Sequence, residues 1–311
     1  MRRIDQFGIL IEEVRQISKG HYDETLPVQG MEFESLEQMY IMGAEVEVLP
    51  SAQRLFANKL HVPYSYLARC SKDLQAQNLN YWIKQEALNR DSLFCRFDGA
   101  KLRAVFTDRY KVMDNVDVVE NMQNSGFKDN DEVHYNLDEN MLVVKVPDYT
   151  KTFGLSGDNI VPGISFANSE VGILAFSIEA YFYRLVCSNG LIAATAVESK
   201  FKHISFKAID SFSTILRRVV QESQHSQEKF RISLTSEVTN PLSTIASFNK
   251  QFQLTKDEGQ VVEESWSLEA GFTMFHVINA YTRAAQDKSL GVEESVRLER
   301  VGGLILKMVR K

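Results

Sequence analysis

The hydrophobic period of this 311-residue chain switches between strand and helix spacing, and the last switch limits the folds open to it. After three N-terminal helical stretches, from about residue 93 to about 197, apolar residues fall in short runs bounded by turn signals, the pattern of β-strands. From about residue 206 they recur every three to four positions, the pattern of amphipathic helices. Strands followed by helices predict an α+β protein: a mostly antiparallel sheet built from hairpins, packed by helices, with a helical C-terminal part. The same pattern divides the chain into an N-terminal helical segment (1–30), an α+β core (31–200) and a helical C-terminal region (201–311) packed on that core.

Three hairpins are predicted. Leu93–Phe97 and Lys101–Phe106 flank Asp98-Gly99, a dipeptide that favours a two-residue turn. Val133–Leu137 and Met141–Val146 flank Asp138–Asn140. Tyr181–Ser188 and Leu191–Val197 flank Asn189-Gly190, and because both faces of that pair are apolar it is expected mid-sheet with Asn189-Gly190 as its turn.

Helices are expected over 5–18, with Phe7, Leu10, Ile11 and Val14 on one face and a stop at Gly20. Another should start at a Ser51 cap and carry Ala52, Leu55, Phe56 and Leu60, and a longer one, roughly 72–90, should start at a Ser71 cap. Later stripes are Ile209, Phe212, Leu216, Val219 and Val220; then Met274, Val277, Ile278, Tyr281 and Ala285. The last is Val292, Val296, Leu304, Ile305 and Met308, with Arg297, Glu299 and Arg300 facing water. The polar stretch Gln221–Lys229 is the expected flexible connector.

Catalytic signatures are sparse. No GxxxxGK[ST], GxGxxG, HExxH or GxSxG occurs, and the six histidines are scattered without an i, i+4 pair. Three widely spaced cysteines (70, 95, 187) suit neither a disulfide framework nor a zinc site. Asp108, Asp114 and Asp117 resemble a metal-nuclease cluster, but Asp114-Asn115 ahead of Val116, Val118, Val119 and Met122 reads better as a helix cap. The expectation is therefore a binding protein rather than an enzyme, with no metal or cofactor. No signal sequence and no apolar run of about 18 residues is found, so no membrane span is expected and the cytoplasm is the expected compartment.

The net charge of -6 argues against a simple basic nucleic-acid binder, yet basic residues concentrate locally. Residues 69–111 hold nine Lys and Arg against five Asp and Glu. With Asp98-Gly99 as the turn, Arg96 would pair with Lys101 and Phe94 with Arg103, putting three cations and an aromatic on one face. Like charges opposite each other cost stability, which a phosphate backbone would relieve while a base stacked on the aromatic. Arg109 and Lys111 would extend that patch. The alternative is a solvated sheet face paired with acids from 32–47, where Glu32, Glu34, Glu37, Glu45 and Glu47 lie. Two further stretches could meet phosphates. Arg54–Arg69 has the outline of a helix-turn-helix, with His61 where a turn glycine is usual, although a plain helical hairpin on the sheet fits it better. Residues 199–231 carry seven cations against three acids, with Arg217 and Arg218 off the apolar stripe.

Several phrases occur together: Val62-Pro63-Tyr64-Ser65-Tyr66-Leu67, Asn78-Leu79-Asn80-Tyr81-Trp82, Leu102-Arg103-Ala104-Val105-Phe106-Thr107-Asp108-Arg109-Tyr110, Arg184–Leu191 and Val277–Arg283. Their order, over roughly 50–305, resembles a phage- and plasmid-encoded family known as domain of unknown function nine-three-two. The resemblance implies a mobile-element setting in a bacterial host and brings no assigned activity. In outline the expected sheet is also similar to Rad52-like annealing proteins. The favoured function is a nucleic-acid-binding protein, an oligomer acting on single-stranded DNA in recombination or replication. The expected surface is Phe94, Arg96, Lys101, Arg103, Arg109 and Tyr110, with Arg217 and Arg218. The other reading is a protein-binding module, a host-defence inhibitor or assembly factor, whose acidic 32–47 segment meets a basic phage or host protein.

Overall fold

A computed structural model describes residues 3–155, 158–184, 189–193 and 212–310. The α+β expectation holds, but the strands form two sheets. The first is antiparallel, in the order β1 (Arg3–Gln6), β8 (Glu132–Leu137), β9 (Leu142–Pro147), β11 (Asp158–Asn168), β12 (Ser177–Arg184), β13 (Asn189–Ala193), with β10 (Phe153–Leu155) also on β11. The second runs β2 (His21–Pro27), β6 (Ser92–Asp98), β7 (Lys101–Phe106), β5 (Ala44–Val48), β4 (Gln38–Ile41), β3 (Met31–Phe33), and is antiparallel except for the β5–β7 pair.

Each sheet has its own core. Helix α1 (Phe7–Ile17) buries the expected Phe7, Leu10, Ile11 and Val14, and together with α5 (Asn115–Asn124) packs into the core of the first sheet. That core also takes α6 (Phe212–Thr235), α7 (Pro241–Gln251), α8 (Lys256–Leu268), α9 (Met274–Ala284) and α10 (Val292–Met308). The second sheet is covered by α2 (Pro50–Lys59), α3 (Tyr64–Leu67) and α4 (Lys72–Asn89), which bury Phe56, Ala57, Leu67, Leu79 and Ile83 against it.

Several expectations need correction. Gln221–Lys229 is not a connector but lies within α6, whose 24 residues continue past it. Asn189-Gly190 is not a turn: Asn189 pairs with Arg184 and Gly190 with Tyr183, so the connection is 185–188, outside the described residues. Among the described strands β13 ends the sheet order, so this pair is not central. Glu299 and Arg300 do not face water. Glu299 forms a buried ion pair with Lys145 on β9, and Arg300 reaches Glu179 on β12 at 2.8 Å, clamping α10 to the sheet. Ser51 is not a cap either, because α2 starts at Pro50, and the Ser51 hydroxyl donates instead to the Arg103 carbonyl (2.6 Å). Ser71 does occupy the N-cap position of α4, without a capping hydrogen bond. Asp114 is a cap as expected, in a capping box with Asp117.

Candidate nucleic-acid interface

The Leu93–Phe106 hairpin turns one residue later than expected. Asp98 pairs with Lys101 and Phe97 with Leu102, so Gly99 and Ala100 form the loop, with Gly99 at φ +55°. A β-bulge follows, after which Arg96 faces Ala104 and Phe94 faces Phe106. The expected Arg96–Lys101 repulsion therefore does not arise.

Nor is the ribbon's basic face open. Arg96 and Arg103 are only 2% and 4% exposed. The reason is β2, a strand that hydrophobic alternation does not reveal because most of its residues are exposed and polar. It pairs along β6 and sets Asp23 opposite Arg96. The Arg96 Nε and Nη2 donate to the two Asp23 carboxylate oxygens (2.8 and 3.3 Å), Nη2 also pairs with Asp114, and Nη1 donates to the Glu170 carbonyl (3.1 Å). Burial works against the Arg96 charge, but the Asp114 and Asp23 carboxylates outweigh it and raise its pKa, and the Tyr110 ring lies 5.8 Å from the guanidinium.

Glu170, on the segment joining β11 to β12, is the centre of a second set. Its carboxylate accepts from Arg103 Nη2 (2.6 Å) and from the Asn115 N–H (2.7 Å), and it lies 3.4 Å from His21 Nδ1. Burial alone would push this carboxyl up. The His21 hydrogen bond, the Arg103 charge and the Asn115 N–H outweigh burial and hold it at about 2. The two arginines thus tie the second sheet to the start of α5 and to the first sheet. Lys101 is elsewhere, at the far end of β7, 3.5 Å from Glu47, so for this residue the 32–47 segment does supply the counter-charge.

At the other end of β7 the remaining expected residues meet an unexpected partner. A groove of roughly 610 Å³ lies between the C-terminal end of α2, the end of β7 and residues 172–175. Asn58, Lys59, Thr107 and Arg109 supply its polar lining, and Phe106, Tyr110 and Leu174 are among its apolar wall. Phe106 and Tyr110 stack almost parallel, with ring centroids 3.8 Å apart, and Phe94 stacks beside Tyr110 at 5.7 Å. The arginine–carboxylate network fixes this stack, since the Tyr110 hydroxyl donates to the Glu170 carbonyl (3.2 Å) and accepts from Arg96 Nη1 (3.4 Å). Burial pushes the Tyr110 hydroxyl up to about 12, so it stays protonated at neutral pH. Gly172, at φ +78°, lets the segment pass the stack, because a Cβ there would lie 2.8 Å from Phe106 Cε1.

Neither Lys59 nor Arg109 has an ion-pair partner among the described residues. Lys59 is half-buried, and burial, followed by the neighbouring Arg90 charge, lowers its pKa. Arg109 is exposed. Both charges are therefore available to an anion. Lys59 and Asn58 belong to the segment read as a possible helix-turn-helix; that motif is absent, because α3 is one turn long and α2–α3 packs on the sheet. His61 sits at φ +55°, the conformation for which a turn glycine is usual. Arg217 is exposed on α6, which packs against β12, and the side chain of Arg218 lies outside the described residues. Among the described residues there is no cluster of three metal-ligating side chains, and no helix is long and apolar enough to cross a membrane.

The family model described as Domain of unknown function (DUF932) matches residues 103–288, more than half of the chain. The chain belongs to that family. The DUF932 match opens at Arg103 and takes in Phe106, Arg109, Tyr110, Glu170 and Gly172, while β2, α2 and α4 precede it. The groove thus joins DUF932 residues to a lysine and an asparagine contributed from outside the match. No curated protein and no solved structure matches the chain.

Proposed function

We propose that this protein binds nucleic acid, with single-stranded DNA as the favoured ligand, at the groove between α2 and β7. The observation carrying the reading is the pairing of two cations that lack an ion-pair partner among the described residues, Lys59 and Arg109, with an aromatic wall of Phe106 and Tyr110. Phosphates are held by mobile cations, and an unpaired base is held by aromatic and aliphatic surface, which together make a sequence-tolerant single-strand site. A duplex keeps its bases stacked inside and offers nothing to such a wall. Of the surface expected from sequence, Arg109 and Tyr110 remain in this role, with Phe94 stacked on Tyr110 but not lining the groove. Arg96 and Arg103 act one step back by holding Tyr110 and the Glu170 segment. On this reading the protein is a cytoplasmic strand-handling factor of phages or plasmids, in recombination or replication, that works as an oligomer.

A competition assay tests it. A labelled 20-nucleotide mixed-sequence strand bound by the full chain should be displaced by unlabelled single strand at far lower concentration than by the same sequence as duplex. Lys59→Ala with Arg109→Ala should weaken binding of the strand. Equal displacement by strand and duplex, or no binding of either, overturns the proposal.

The protein-binding reading has one observation in its favour. Glu34, Glu45 and Glu32 lie near the exposed Tyr40 on β4 and raise its pKa, making an acidic patch suited to a basic partner.

A further inference from the structure

Helix α4 carries a stripe that no element among the described residues covers. Its buried residues are Leu79 and Ile83, and Tyr81 lies two positions, about 200°, from each. Along the face away from the core run Leu74, Asn78, Tyr81, Gln85 and Leu88. Leu74, Tyr81 and Leu88 repeat every seven residues and are 40%, 59% and 80% exposed, with Trp82 at 45% on the flank. The outer face of a solvated helix is normally charged. Here the charged residues Lys72, Asp73, Lys84 and Glu86 all lie off the stripe.

We propose that this stripe is the contact of a homodimer, in which α4 packs antiparallel against α4 of a second copy across a two-fold axis at Tyr81. The occupant follows from the symmetry of the pattern. Read from Tyr81 towards either end, the stripe runs aromatic, amide, leucine, so an antiparallel copy sets Leu74 level with the other Leu88 and an amide on each side of the tyrosines. A two-fold contact needs such self-complementarity. Charge agrees with the antiparallel sense. The axis brings Lys84 of one copy level with Asn78 of the other, five residues or about 7.5 Å along the helix from Asp73, so each end holds an acid from one copy and a lysine from the other. A parallel pair would set Lys84 against Lys84. Lys72 comes level with Arg90, whose charge is already met by Glu86 and Asp108. A neutral stripe without cations is a poor match for a phosphate backbone, which separates this face from the groove.

A single face of an 18-residue helix, about 27 Å long, is at the lower end of specific interfaces, so a micromolar dimer is expected. Sedimentation of the full chain from about 1 to 100 µM, a range set by that interface size, should move from 35.5 kDa towards twice that mass. Tyr81→Lys and Leu88→Glu should each remain monomeric at every concentration with an unchanged melting temperature, because both side chains are exposed. Position 81 on the axis has a sharper consequence. In a Cys70→Ser background, Tyr81→Cys should be joined to its equivalent by a short bismaleimide, and Lys72→Cys should not. A wild-type chain that stays monomeric, a dimer that survives Tyr81→Lys, or crosslinking at 72 rather than 81 overturns the proposal. Loss of oligonucleotide-dependent tryptophan quenching in Trp82→Phe, in a monomeric chain, would instead assign the stripe to nucleic acid.

Discussion

Glu170→Gln isolates what the buried carboxylate contributes. The carboxyl sits at about 2 against an ordinary 4.5, a difference worth roughly 3 kcal/mol at about 1.4 kcal/mol per tenfold. A depressed carboxylate contributes stability that is fully present above about pH 4.5 and is lost as pH falls towards 2. The glutamine keeps the shape and can accept the Asn115 N–H, but it leaves the Arg103 charge without its counter-ion, costing about 3–5 kcal/mol at pH 7. Denaturant unfolding of both proteins should therefore show a gap of that size at pH 7 that narrows by about 3 kcal/mol between pH 5 and pH 2. Burial pushes Asp114 up in the opposite sense, and because Asp114 is present in both proteins the difference between them still reports Glu170. A gap independent of pH, or no gap at pH 7, refutes the role given to this carboxylate.

Three further outcomes follow from single positions. Gly172→Ala places a Cβ 2.8 Å from Phe106 at a positive φ, so it should cost about 1–3 kcal/mol in thermal unfolding and weaken strand binding by displacing the aromatic wall. His61→Gly relieves a positive φ between α2 and α3, and denaturant unfolding should show a gain of about 0.5–1 kcal/mol with strand affinity unchanged. Arg96→Met strips the partners of Asp23 and Asp114 from a buried site, so it should lower the melting temperature sharply, whereas Arg109→Ala should leave it unchanged and reduce only binding.

Local patterns were legible where one residue set decided the outcome. The four apolar residues of α1, the Asp114 cap and the Val133–Val146 hairpin follow from periodicity and turn chemistry alone. What escaped was long-range pairing. Strand β2 shows no alternation, because its residues are mostly exposed, yet its Asp23 turned an expected phosphate-binding arginine into a buried ion pair. Strand β11 is broken by Pro162 and Gly163 in sequence, but it lies mid-sheet between β9 and β12. The bulge at Arg103 moved the hairpin register, and no short motif announces a bulge. Half of the groove was visible in Arg109 and Tyr110. The other half, Lys59, is some 50 residues earlier on α2 and joins them only because α2 packs along β7. Glu170 carried no sequence signal, being one acid in an ordinary connection whose burial depends on both sheets.

The salt dependence of strand binding tests the groove most directly. Each phosphate neutralised on a single strand contributes about 0.7 to the slope of log affinity against log salt. Lys59→Ala with Arg109→Ala should weaken binding of a labelled 20-mer by more than about tenfold and make that slope shallower by about 1.4. A double variant that keeps both the affinity and the slope of the wild type would contradict the assignment of this groove to nucleic acid.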